Sequence, residues 1–188
     1  MIKEFSDKDL IERALRGEKS GYAGLVNRYK SFAFSIAIKI VKNREDAEEV
    51  IQDSFIKAFK SLLNFRNEAK FSTWFYRIVY TSALNYIRKG AINTVDIDDS
   101  HANQIAVNEL DGASILDRKI KQVFIAKAFS LLKPEDAVLL QLFYLNEMSL
   151  EEIAEIMGIE ASTVKIRLHR ARPRFRIFLE SFLNHNEI

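Results

Sequence analysis

Cysteine is absent from the 188 residues, which excludes a disulfide, a thiolate metal site and a thiol nucleophile. Only two prolines, Pro134 and Pro173, and six glycines interrupt the chain, a scarcity that suits long helices. The three histidines, His101, His169 and His185, are scattered and show no spacing that gathers metal ligands. Long apolar runs are missing too. The longest weakly charged stretch, Ser31 to Ile38, falls far short of the roughly 20 residues that span a bilayer, so no membrane insertion is expected. The opening MIKEFSDKDLIERALRG carries charge throughout and lacks the apolar centre of a signal peptide. These absences lead to the expectation of a soluble, intracellular protein.

What is present is a folding composition: 48% hydrophobic and 29% charged residues, enough for real cores rather than a disordered tail. The net charge of +2 hides an uneven distribution. Residues 1–89 hold 17 basic and 11 acidic side chains, residues 90–117 hold none and 6, and residues 118–188 hold 11 and 9. An acidic strip therefore separates two basic segments.

Periodicity predicts helices on both sides of that strip. Ser6 and Asp9 read as a capping box that opens a first helix, which Gly17 stops. A second helix runs from Ser20 to near Asn43. A third, about Glu45 to Leu62, shows an apolar stripe of Ala47, Val50, Ile51, Phe55, Ala58, Phe59 and Leu62. Asn64 to Lys70 reads as a polar loop, and Phe71 to Lys89 as a fourth helix dense in aromatics. From Gly90 to Asp117 the composition predicts a flexible acidic linker, with a short helix admissible at Gln104–Leu110. Helical periodicity returns at Arg118–Leu131, and Pro134 opens another helix with Glu135 and Asp136 in its first turn. No segment alternates long enough to predict a sheet. The expected fold class is all-α: two small helical domains, 1–89 and 118–188, joined by a tether at 90–117.

Ser149 and Glu152 form a second capping box ahead of a short helix that buries Leu150, Ile153, Ala154 and Met157. Gly158 suits the left-handed turn that ends it. A helix then starts at Ala161 or Ser162, with Val164, Leu168 and Ala171 inward. At about 100° per residue the opposite face presents Ser162, Thr163, Ile166, His169 and Arg170, flanked by Lys165, Arg167 and Arg172. Six basic and no acidic residues lie between Lys165 and Arg176. A short helix, a glycine turn and a basic amphipathic helix meet the needs of a helix-turn-helix entering the major groove. A kink or a stop is expected just before Pro173.

Here the chain resembles a known family over nearly its whole length. LLKPEDAVLLQLFYLNEMSLEEIAEIMGIEASTVKIRLHRAR resembles the C-terminal promoter-binding domain of sigma factors. DAEEVIQDSFIKAFKSL followed by FRNEAKFSTWFYRIVYTSALNYIRK resembles their N-terminal domain. Order and spacing are similar to extracytoplasmic-function sigma factors, which keep these two domains. The resemblance implies that Asp46, Glu49, Gln52 and Asp53 on the third helix bind the clamp helices of core RNA polymerase. It implies that the Phe65–Ala69 loop and the helix after it capture and melt the −10 element. Stacking rings and cations fit that task, and Phe65, Arg66, Trp74, Tyr76, Arg77, Tyr80, Thr81 and Arg88 are the expected residues, while Phe71, Phe75, Ile78 and Val79 are expected in the core. The helix-turn-helix residues Ser162 to Arg172 named above are expected at the −35 element of promoter DNA. Thr81 stands where many relatives carry asparagine. Ile166 stands where they carry a polar residue, and can meet a thymine methyl. An anti-sigma factor is a further implied partner, the bacterial cytoplasm the implied location, and no cofactor is implied.

Two other classes remain to be weighed. A stand-alone helix-turn-helix regulator needs neither the aromatic fourth helix nor the acidic linker. An enzyme needs a nucleophile, base or metal set at a workable spacing, and the sequence offers none.

Overall fold

The computed structural model describes residues 5–66, 69–93 and 113–184. Among them lie eight α-helices and one 3-10 turn, with no strand: α1 (Asp7–Leu15), α2 (Lys19–Val41), α3 (Arg44–Lys60), the 3-10 turn Leu62–Asn64, α4 (Phe71–Asn93), α5 (Ala113–Ser130), α6 (Pro134–Tyr144), α7 (Leu150–Met157) and α8 (Ala161–Asn184). The chain divides into two compact units. The first carries α1–α4; the second carries α5, α6, α8 and the first part of α7.

Local chemistry sets the helix ends. Ser6 Oγ accepts from Asp9 N–H at 3.2 Å while Asp9 returns a carboxylate oxygen to Ser6 N–H at 2.9 Å, the reciprocal pairing that satisfies two of the helix's orphan donors. Gly17, at φ 79°, turns the chain into α2. Lys42 takes the same left-handed region at φ 58°, an unusual place for a side chain with a Cβ. Asn43 then caps α3 by accepting from Glu45 and Asp46 N–H. Pro134 occupies the first turn of α6, where its missing N–H costs nothing, with Glu135 and Asp136 beside it facing the positive end of the helix.

In the first unit α2 packs on α1, α3 and α4. Its buried residues Leu25, Tyr29, Ala33, Ile36, Ala37 and Ile40 recur at three- and four-residue steps. They meet Val50, Ile51, Phe55 and Ala58 of α3 and Phe71, Phe75, Val79 and Ala83 of α4 in one apolar core. Close approach of α1 to α2 depends on Gly21, because a Cβ there would fall on the backbone of Ala14 and Leu10. A clamp closes the N-terminal end: Arg28 pairs with Asp7 and donates to the Phe5 carbonyl, and the Tyr29 hydroxyl donates to Asp7. Burial first, and then that carboxylate, hold the Tyr29 phenol far above its ordinary pKa.

In the second unit α5 and α6 pack on α8. Ala128, Leu132, Ala137, Val138, Leu139 and Leu142 are buried, as are Val164, Leu168 and Ala171 of α8. Phe129 and Phe175 bring their rings within 4.8 Å.

Three expectations change. The fourth helix runs four residues beyond Lys89, to Asn93, and α5 starts at Ala113 rather than Arg118. Both flanks of the expected linker are therefore helical. Its central part, 94–112, lies outside the described residues, and so does the admissible helix at Gln104–Leu110. The third change is at Pro173. Of the kink or stop expected there, the stop does not occur: helix α8 continues to Asn184 with Pro173 inside it. Proline removes one N–H and leaves the His169 carbonyl without its helical donor. His169 and Pro173 are both exposed, so water can serve that carbonyl while Phe175 packs against Phe129.

Candidate nucleic-acid interface and acidic face

The helix-turn-helix is assembled as its residues dictate. Ser149 N–H donates to Glu152 at 3.0 Å and Ser149 Oγ accepts from Glu152 N–H at 3.2 Å, so α7 begins on a complete capping box. Gly158, at φ 66°, ends it in the left-handed region, and Ile159 N–H closes back on the Ala154 carbonyl at 3.1 Å. Helix α8 starts at Ala161. Val164, Leu168 and Ala171 are buried; Ser162, Lys165, Ile166, His169, Arg170 and Arg172 are exposed; Thr163 and Arg167 are half-buried. Ile166 is 52% exposed, an apolar side chain with no core to serve.

The six cations of this helix are not equivalent. Arg172 holds its guanidinium over the rings of Phe143 and Tyr144, at 5.4 and 5.3 Å. Arg174 lies 3.5 Å from Asp136 of α6, and Arg176 pairs with Glu180 one turn on at 2.7 Å. Among the described residues Lys165, Arg167 and Arg170 have no carboxylate or ring partner. The unsatisfied positive charge is thus concentrated in the first three turns, beside Ser162 and Ile166. Arg172, expected on the flank of the −35-binding face, has partners on α6.

On the first unit, α4 carries the expected strand-opening residues, and the structure splits them. Arg77, Thr81 and Arg88 are exposed, and so is Arg66 in the loop before the helix. Phe65 and Trp74 are half-buried with ring centroids 5.1 Å apart, and Phe65 also meets Phe71 edge-on at 5.6 Å. Tyr76 and Tyr80 are a correction. They are only 6% and 4% exposed, so their rings belong to the core and cannot receive a base without repacking. Tyr76 lies 4.3 Å from Phe32 and about as far from Tyr29 as from Phe75, at 5.9 and 6.0 Å. Its phenol is pushed well above the ordinary range, first by burial. The helical period explains the split: positions 76 and 80 share the face of Phe75 and Val79, whereas 77, 81 and 88 look outward. Phe71, Phe75 and Val79 are core as expected, and Ile78 is half-buried. Within the expected loop, residues 67 and 68 lie outside the described residues.

Helix α3 keeps its acidic face. Glu49, Gln52 and Asp53 are exposed and Asp46 is half-buried. One residue the sequence reading missed belongs with them. The Tyr86 hydroxyl of α4 donates to Asp46 Oδ1 at 2.9 Å and lies 3.3 Å from Glu49 Oε2. The hydrogen bond to Asp46, and then desolvation, push the phenol up to about 12. Spacing alone gives no signal, because Tyr86 lies three and seven residues from Ala83 and Val79 and so shares the apolar face of α4. Lower down, Lys57 Nζ of α3 donates to Ser82 Oγ of α4 at 2.9 Å.

Comparison with known proteins bears on the family and the fold. Residues 25–91 match the family model of sigma-70 region 2, and residues 125–174 that of sigma-70, region 4. The chain is similar to the ECF RNA polymerase sigma-E factor of Haemophilus influenzae, 32% identical over 92% of this chain and 94% of that protein. It is 32% identical to its namesake from Escherichia coli, over 92% and 93%. The fold is similar to that of CnrH, solved in complex with the cytosolic domain of CnrY (TM-score 0.63, 21% identity, 93% of this chain and 97% of that one). It is also similar to the sigma factor RpoE solved with the anti-sigma factor NepR from Bartonella quintana (TM-score 0.68, 21% identity, 85% and 96%).

Proposed function

The chain belongs to the extracytoplasmic-function RNA polymerase sigma factors and serves promoter recognition, and from that premise we propose how its surfaces divide the work. Helix α8 reads the −35 element: Lys165 and Arg167 approach phosphates, Arg170 and Ile166 reach base edges, and Ser162, Thr163 and His169 line the same face. Arg66, Phe65, Trp74, Arg77, Thr81 and Arg88 meet the −10 element and hold it open. Asp46, Glu49, Gln52 and Asp53 bind core polymerase. The observation that carries this reading is the concentration of unpaired cations at the start of α8, directly after a capped helix and a glycine turn. Phosphates supply the missing anions, and base edges the partners for the short residues between them.

The protein performs no chemistry of its own in this proposal; the polymerase does. It works in the bacterial cytoplasm, and among the described residues no helix is long and apolar enough to cross a membrane. Two structurally similar proteins were solved with a protein bound, one of them an anti-sigma factor, and we extend that kind of partner to this chain. The test is transcription from genomic fragments by purified core polymerase, with and without the protein. New start sites that require it are the expected result. Equal transcripts in both reactions, with DNA binding by the protein alone, would make it a regulator that acts without polymerase.

A further inference from the structure

We propose that Tyr86 is a positioning residue for polymerase binding, holding Asp46 and Glu49 of α3 together from its place on α4. The proposal rests on the reading that the acidic face of α3 is the polymerase contact. Asp46 and Glu49 stand three residues apart, so their carboxylates leave the helix on one side. Both converge on a single hydroxyl, at 2.9 and 3.3 Å. That hydroxyl has one proton, shared between the two in a three-centre hydrogen bond weighted to the nearer oxygen of Asp46. Neither carboxylate has a lysine or arginine partner among the described residues, although Glu48, on the same helix, pairs with Arg44 at 3.0 Å.

Two like charges held close together without a cation are unfavourable in the free protein. Left to themselves, the side chains would rotate apart into water. Tyr86 prevents this with a charge-assisted hydrogen bond, so the rotamer entropy of Asp46 is lost before the partner arrives rather than on binding. What results is a fixed acceptor for a cationic side chain of the polymerase. A second consequence follows from where Tyr86 is anchored. Helix α4 also carries Arg77, Thr81 and Arg88, so the polymerase contact and the strand-opening surface share one rigid connection. Lys57 and Ser82 provide a second tie between the same two helices.

The experiment is a double-mutant cycle on the full chain. Affinity for core polymerase is measured for wild type, Tyr86→Phe, Asp46→Asn and the pair, together with Glu49→Gln, and each protein is also melted thermally. Tyr86→Phe keeps the ring and removes only the hydroxyl. It is expected to weaken binding roughly three- to tenfold, less than the full worth of a hydrogen bond to a charged group because the bond acts on binding only through preorganisation. It should cost less in the Asp46→Asn background, where an amide oxygen replaces the charged acceptor, and should lower the melting point by no more than roughly 4–8 °C. Wild-type affinity for Tyr86→Phe, with weakened Asp46→Asn and Glu49→Gln, would overturn the role of Tyr86 and leave the acidic contact standing. Losses that add in the pair and follow the melting points would make Tyr86 a structural residue only. Wild-type binding by Asp46→Asn and Glu49→Gln would remove the acidic contact itself, and the proposal with it.

Discussion

Tyr76 is the residue on which sequence and structure differ most, and replacing it decides between them. Its ring is packed among Phe32, Tyr29 and Phe75 at 4.3, 5.9 and 6.0 Å and is 6% exposed. Truncating a buried aromatic to alanine typically costs about 3–5 kcal/mol, from lost transfer energy and the cavity left behind. For a unit of fewer than 100 residues, about 4–8 °C of melting temperature goes with each kcal/mol. Tyr76→Ala should therefore melt more than 10 °C below wild type and lose promoter opening by unfolding, so opening alone cannot report on stacking. Tyr76→Leu separates the two roles, because it keeps apolar volume and removes the flat ring. As a core residue it should cost about 1–2 kcal/mol and leave permanganate reactivity of the bubble thymines intact at a temperature where the protein is folded. A base stack, by contrast, is worth roughly 1–3 kcal/mol and is lost without the ring. The reasoning is refuted if Tyr76→Ala melts within about 4 °C of wild type, or if Tyr76→Leu is folded and the bubble stays closed.

Helix α8 should show a division of labour in binding a randomised duplex library at two salt concentrations. Lys165→Ala should weaken binding to all sequences and flatten the salt dependence by about one unit of slope. Arg170→Ala should cost roughly 1–3 kcal/mol on the preferred sequence and little on the rest, and Ile166→Ser should shift preference away from a thymine. Equal losses for all three on every sequence would leave only a basic patch. Gly21→Ala should separate α1 from α2, because its Cβ meets the backbone of Ala14 and Leu10; an overpacking cost of about 1–3 kcal/mol or more is expected in chemical denaturation, and an unchanged midpoint contradicts the close crossing. Pro173→Ala restores an N–H inside α8 and should stabilise the second unit by as much as about 3 kcal/mol; a lower melting point for that unit would show that proline shapes the helix for packing.

The helices were legible because their signals are local. Ser6 with Asp9 and Ser149 with Glu152 are capping boxes whose partners lie three residues away, and both form as the spacing predicts. Val164, Leu168 and Ala171 fall on one face by the helical period alone, which places Lys165, Ile166 and Arg170 outside without any knowledge of neighbours. The ends of the acidic segment were less legible. Ala113–Asp117 is too short to show a period of its own, and its helix is an extension of the more regular stretch that follows. For Tyr76 and Tyr80 residue type is a poor guide to role. Aromatic rings suit both a core and a base stack, and only the position of α2, bringing Phe32 and Tyr29 against α4, decides for the core.

By itself, then, the sequence determined the all-helical class, the helix-turn-helix, the basic and acidic faces and the family, since each depends on spacings within one helix or on motif order. Tertiary structure decided what depends on a second helix. Tyr76 became core, Arg172 went to the rings of Phe143 and Tyr144, Arg174 went to Asp136, and Tyr86 reached Asp46 and Glu49 across 40 and 37 residues of chain. The physical reason is that helical periodicity says which side of a helix a residue faces, but a side chain's partner is set by which other helix packs there and at what distance.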